Sequence, residues 1–186
     1  MNSLRRLFRA LLRHTGFGPK PAAERGGPGF RSILDATHAD IPDIVRFEVP
    51  IFRDHEALYR MDFPESTNEA KVAEKYEHVI RTRDGGAAIY VADGRAAGYV
   101  GWRFLGTGET RQAIVLSISV EPALRRSGIG GALFDHMREH VTSDGAVALR
   151  AHVWAHNTES RSFFEARGFM PDHTAYSMPL KDAETD

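Results

Sequence analysis

The stretch Ser117-Ile-Ser-Val-Glu-Pro-Ala-Leu-Arg-Arg-Ser-Gly-Ile-Gly-Gly-Ala-Leu-Phe134 runs an apolar strand into a turn, two arginines, a glycine cluster and an amphipathic helix. That order builds an anion site. The first turn of a helix carries backbone N–H groups without intrahelical acceptors, at the positive end of the helix dipole. Glycine lets a phosphate approach that backbone, and Arg125 and Arg126 add charge-assisted donors. The loop Arg125, Arg126, Ser127, Gly128, Ile129, Gly130, Gly131 therefore reads as the cradle of a phosphate-bearing cofactor.

Two familiar loops do not fit. A dinucleotide loop needs a third small residue where Leu133 stands. A Walker loop needs a lysine, and none is near. What remains is R-x-x-G-x-G, set by Arg125, Gly128 and Gly130, which resembles the pyrophosphate loop of the GNAT superfamily of N-acetyltransferases. A second segment strengthens the resemblance: Val153-Trp-Ala-His-Asn157-Thr-Glu-Ser160-Arg-Ser-Phe163-Phe164-Glu-Ala-Arg-Gly168-Phe169. It is similar to the family's strand followed by N-x-x-A-x-x-L-Y-E-K-x-G-F, with Asn157, Ser160, Phe163, Glu165, Gly168 and Phe169 in register.

The resemblance implies an α/β fold with a mixed, mostly antiparallel sheet, a central splayed pair of parallel strands and flanking helices. It implies acetyl-CoA as co-substrate, its pantetheine arm lying between the splayed strands, and no metal. Backbone N–H groups around Ile118, Ser119 and Val120 are where the family polarises the thioester carbonyl. Asn157 resembles the asparagine that hydrogen-bonds the pantetheine arm, and it is also a natural helix cap. Phe164, at a cofactor-facing position, replaces a tyrosine often taken to protonate the leaving thiolate. Phenylalanine cannot donate, so Tyr176 on the expected final strand is the candidate acid.

The implied reaction moves an acetyl group to a primary amine, of unknown identity, on a small molecule or amino acid derivative. Acetylation of a protein N-terminus or lysine, and a non-catalytic acyl-CoA sensor, are the alternatives. A lysine-like amine titrates near ~10.4, so a base or a desolvated pocket must remove its proton. The strand before the loop offers Ser117 and Ser119 but no acid, which leaves His152 and His156 as candidate bases. Between residues 48 and 69, Glu48, Asp54, Glu56, Asp62, Glu65 and Glu69 outnumber Arg53 and Arg60. That suits a cationic acceptor or a solvated helix face. His136-Met-Arg-Glu139-His140 puts two histidines on one helix face, but no third ligand follows, so no metal is expected.

At 186 residues, 42% hydrophobic and 26% charged, the chain suits one globular domain with a tail. A net charge of −1 gives no sign of a nucleic-acid surface, and the absence of cysteine excludes disulfides and thiolate nucleophiles. No apolar run approaches the ~20 residues of a membrane span, and a cytoplasmic setting is expected. Residues 1–14 set Leu4, Leu7, Phe8, Leu11 and Leu12 at helical spacing among Arg5, Arg6, Arg9 and Arg13. Such a helix touches an anionic membrane surface or docks on its own domain. A Gly/Pro-rich linker follows, so residues 1–29 form an N-terminal segment and 30–186 the N-acetyltransferase domain. A homodimer is left open.

Periodicity gives strands at 30–36, 87–92, 96–104, 111–120, 146–154 and 174–180. Asp93-Gly94 marks a hairpin. Helices are expected from Asp40, within 48–80, from the glycine loop to Val141, and from Asn157 to a C-terminal glycine at Gly168. Along 111–120 the alternation puts Ile114, Leu116, Ile118 and Val120 on one face.

Overall fold

The computed structural model describes residues 29–59 and 62–173. The N-terminal basic segment, the final strand and Tyr176 lie outside the described residues. The elements are β1 (Arg31–Asp35), α1 (Ile41–Tyr59), α2 (Pro64–Thr67), α3 (Glu69–Thr82), β2 (Gly85–Ala92), β3 (Arg95–Leu105), β4 (Gln112–Val120), α4 (Ile129–Ser143), β5 (Ala148–Ala151) and α5 (Thr158–Glu165). The strands lie in sequence order in one sheet. The pairs from β1 to β4 are antiparallel, and α4 is the crossover to a parallel β5. Asp93 (φ 51°) and Gly94 (φ 76°) turn β2 into β3, the two positive φ values of a type I′ hairpin.

Two apolar layers sandwich the sheet. Ile44 and Phe47 of α1 and Val72 and Tyr76 of α3 pack with Ile89 and Tyr99 on one face. Leu133, Phe134 and Met137 of α4 and Phe164 of α5 pack with Val100 and Trp102 on the other. Residues 41–59 form one helix through Pro50, where the sequence suggested a separate second helical stretch within 48–80. An interior proline costs about 3 kcal/mol. Burial of Ile44, Phe47 and Val49 in the turns around it offsets that cost.

Glu48 also anchors this helix. It is fully buried, and its Oε2 accepts from Tyr76 Oη at 2.6 Å and Tyr99 Oη at 2.9 Å while Oε1 pairs with Lys75. Burial first, and neighbouring acidic groups second, push both phenols well above their ordinary range.

In β4 the register skips one residue: Ser117 pairs with Gly101 and Val115 with Trp102, leaving Leu116 unmatched. This β-bulge exchanges the two faces of the strand. Ala113 and Val115 lie on the α4 side, Leu116 on the α1 side, and Ile118 and Val120 back on the α4 side. The expected common face of Ile114, Leu116, Ile118 and Val120 is therefore corrected.

The parallel pair is splayed. Gln112–Val115 pair with Ala148–Ala151, and there the ladder stops. The strand expected to reach Trp154 has left β4 by His152, while Ser117–Val120 keep their β3 partners. Beyond the gap, α5 closes with Phe169 N–H donating to Phe164 O and Gly168 N–H to Glu165 O. With Gly168 at φ 86° and the Phe164 and Phe169 rings 5.0 Å apart, this is a Schellman ending, as the glycine at 168 predicts.

Candidate active site

The splay opens into a cleft of about 1160 Å³. One end is built for an anion. Gly128 caps α4 at φ 88°, a conformation that favours glycine. The helix's own bonding begins with Ala132 N–H donating to Gly128 O, so the N–H groups of Ile129, Gly130 and Gly131 have no intrahelical acceptor. Arg125, Arg126, Gly128, Gly130 and Gly131 line the cleft. Two expected residues contribute no side chain to it. Ser127 turns its hydroxyl to Leu124 O at 2.6 Å, and Ile129 is buried in the core.

Arg167 joins this end, and nothing in the sequence singled it out. Its guanidinium lies 3.7 Å over the Phe163 ring and donates to Phe163 O at 2.9 Å. A Cβ on Gly131 would meet it at 2.8 Å, so glycine there makes room for the cation. Its buried Nε has no hydrogen-bond partner among the described residues.

The middle of the cleft is polar backbone. Glu121 N–H donates to Ala97 O at 2.9 Å, and Ser119 pairs with Tyr99, so these two turn their main-chain groups toward β3. Strand alternation then points the N–H groups of Ile118 and Val120 into the gap. Arg125 Nε approaches Val120 O from that side at 3.3 Å. Asn157 caps α5, its Oδ1 accepting Ser160 N–H at 2.9 Å, and its side chain borders the cleft. Asn157→Ala should cost about 1 kcal/mol in urea denaturation, whereas Asn157→Ser retains a cap and should stay close to wild type. Phe164, 7% exposed, borders the cleft from an aromatic cluster with Phe134, Phe163 and Phe169.

The other end is a wall of imidazoles and aromatic rings. His55 lies 4.8 Å from the Trp154 ring and 5.1 Å from His156. Tyr59 Oη hydrogen-bonds His156 Nδ1 at 2.8 Å, and Phe63 meets Trp154 edge-on. His55 is 6% exposed, and its Nδ1 is buried without a hydrogen-bond partner among the described residues. Burial, followed by the neighbouring His156, holds it below the ordinary histidine range, so it stays neutral at neutral pH. The structure brings His156 to His55. His152 also lines the cleft, but its ring neighbour is His173 at 6.2 Å.

Of the six acids at 48–69, Asp54 alone lines the cleft. Glu48 is committed to the core, and Glu56 accepts from Phe63 N–H and Thr67. Glu65 pairs with Lys71, and Glu69 with Arg53. The acidic stretch is largely spent on its own fold.

Residues 52–169 match the profile of the acetyltransferase (GNAT) family. The chain belongs to that family. It is similar to N-alpha-acetyltransferase 60 of Xenopus tropicalis, at 34% identity over 70 residues, 36% of this chain and 29% of that protein. The namesake from Danio rerio matches at 34% over 68 residues, 35% of this chain and 28% of that one. The chain thus spans under a third of the length of these relatives. In fold it is similar to aminoglycoside N-acetyltransferase AAC(6')-Iy, solved in complex with CoA. That likeness has a TM-score of 0.62 and 15% identity, over 82% of this chain and 96% of that one.

Proposed function

We propose that the protein transfers an acetyl group from acetyl-CoA to the primary amine of a small molecule or amino acid derivative. One observation carries this: a single cleft joins the anion loop to the imidazole wall, past the Ile118 and Val120 N–H groups. The residues fit the co-substrate. The first turn of α4, Arg125, Arg126 and the unpartnered Arg167 Nε would hold its phosphates, with Asn157 and Phe164 beside its arm. When bound, acetyl-CoA supplies an activated thioester.

The chain's own groups do the rest. The N–H groups of Ile118 and Val120 stabilise negative charge on a carbonyl oxygen placed in the gap. His55, neutral and on the cleft wall, would accept the proton of the incoming ammonium. The thiolate released as the thioester C–S bond breaks would take its proton from water, since Phe164 has none to give. Tyr59 fixes the His156 ring, which closes that side of the wall. With Asp54 as the one acid of its stretch on the cleft, the wall suits a lone amine flanked by neutral groups better than a polycation.

Thiol release over a panel of amines tests this. His55→Gln should lower kcat about 100- to 10,000-fold with CoA affinity retained. In the wild type, the acid limb of kcat/KM should fall below ~6.5, because the depressed pKa keeps His55 unprotonated down to that range. An unchanged kcat in the variant would remove His55 from the reaction.

A second reading, acetylation of a polypeptide N-terminus, draws on the likeness to N-alpha-acetyltransferase 60. Short peptides with free and blocked N-termini in the same panel separate the two.

A further inference from the structure

Away from the cleft, the end of β1 meets the middle of α4. Spacing of i, i+4 puts His136 and His140 on one helix face, with ring centroids 4.6 Å apart. Both Nε2 atoms converge on one oxygen, Asp35 Oδ1, at 2.8 Å from His136 and 3.2 Å from His140. All the donor atoms lie within 4.8 Å of one another. None of the three residues lines the cleft.

We propose that Asp35, His136 and His140 form a binding site for a divalent transition-metal cation of the zinc class, clipping β1 to α4. Two imidazoles and one carboxylate suit Zn²⁺, Ni²⁺ or Cu²⁺, whereas Mg²⁺ and Ca²⁺ prefer all-oxygen shells. Tetrahedral ligands about 2.1 Å from zinc lie about 3.4 Å apart, so the three groups need only small shifts to admit the ion. The side chains are 60%, 26% and 38% exposed in chain order, which leaves the ion a path in and water as the remaining ligand. Trp102 packs 5.8 Å from His140 and supports that ring.

The clip joins residues 101 positions apart and steadies the helix whose first turn is the anion loop. The pattern in α4 lacks a third ligand of its own because Asp35 lies 101 residues before His136.

The test uses the full, untagged chain stripped of metal by a chelator. Zn²⁺ is titrated calorimetrically, and melting is followed with and without it. His136→Ala should remove one equivalent or weaken it at least tenfold. Asp35→Asn, which preserves size and hydrogen bonding, should do the same. His78→Ala, an exposed histidine on α3, should change nothing. Zn²⁺ at a hundredfold excess over Kd should raise the wild-type Tm by several degrees and leave that of Asp35→Asn unmoved. Wild-type protein that binds no Zn²⁺, or binding that survives both ligand substitutions, would overturn the proposal and leave a hydrogen-bonded staple only.

Discussion

Gly130→Asp should weaken CoA binding by at least about a hundredfold while leaving the fold intact. A Cβ at position 130 would meet Phe163 at 3.5 Å and Val120 at 3.8 Å, ordinary contact distances, so the core need not move. Replacing glycine near a helix start removes an entropic cost, and a carboxylate there interacts favourably with the helix dipole. Thermal stability should therefore hold or rise slightly. The same carboxylate stands where the first-turn N–H groups would receive a pyrophosphate. A hundredfold loss corresponds to about 2.7 kcal/mol, well within reach of like charges brought together out of bulk water. Gly130→Ala, with the same backbone effect and no charge, should bind nearly as wild type. Calorimetry with CoA on the three folded proteins decides it. Equal affinities for Gly130→Asp and wild type would place the phosphates elsewhere.

Glu48→Ala should be the most destabilising single change. It strips the acceptor from two buried phenols, Tyr76 and Tyr99, and the partner from Lys75. Leaving two buried phenols without an acceptor costs about 1–3 kcal/mol each, roughly 3–5 kcal/mol together, while Lys75, 30% exposed, turns to water. In a chain of this size that lowers Tm by roughly 6–20 °C. Glu48→Gln, which keeps an acceptor but not the charge, should fall between. Tyr99 pairs in the sheet with Ser119, which lines the cleft, so the loss should reach the site as well as the core. A melt within about 1 °C of wild type for Glu48→Ala would mean that the network contributes nothing net.

Features carried by local chemistry were legible in the sequence. The hairpin at Asp93-Gly94, the Asn157 cap, the Gly168 ending and the glycine loop each follow from what one or two residues do to their own backbone. The unread features depend on contacts between distant segments. The bulge at Leu116 adds one residue to an apolar strand and leaves no mark in composition, yet it decides which face Ile118 and Val120 take. Glu48 looked like one acid among six, and only folding shows it enclosed by Tyr76, Tyr99 and Lys75. Residue 48 looked like the start of a separate helical stretch, but burial of Ile44, Phe47 and Val49 carries the first helix through Pro50 to Tyr59. His55 becomes a site residue because α1 meets Trp154 and His156, and Arg167 because it packs beside Gly131 of the anion loop, contacts that no local pattern encodes. Asp35 completes a cluster with a helix 101 residues downstream.

Thiol release from acetyl-CoA, followed over the amine panel alongside mass analysis of the acceptor, tests the central claim most directly. The structure predicts at least one amine whose acetylation matches thiol released mole for mole, and predicts that both signals collapse together in Gly130→Asp. Tight CoA binding by the wild type with no amine acetylated would contradict the claim and make the cleft a sensor of acyl-CoA.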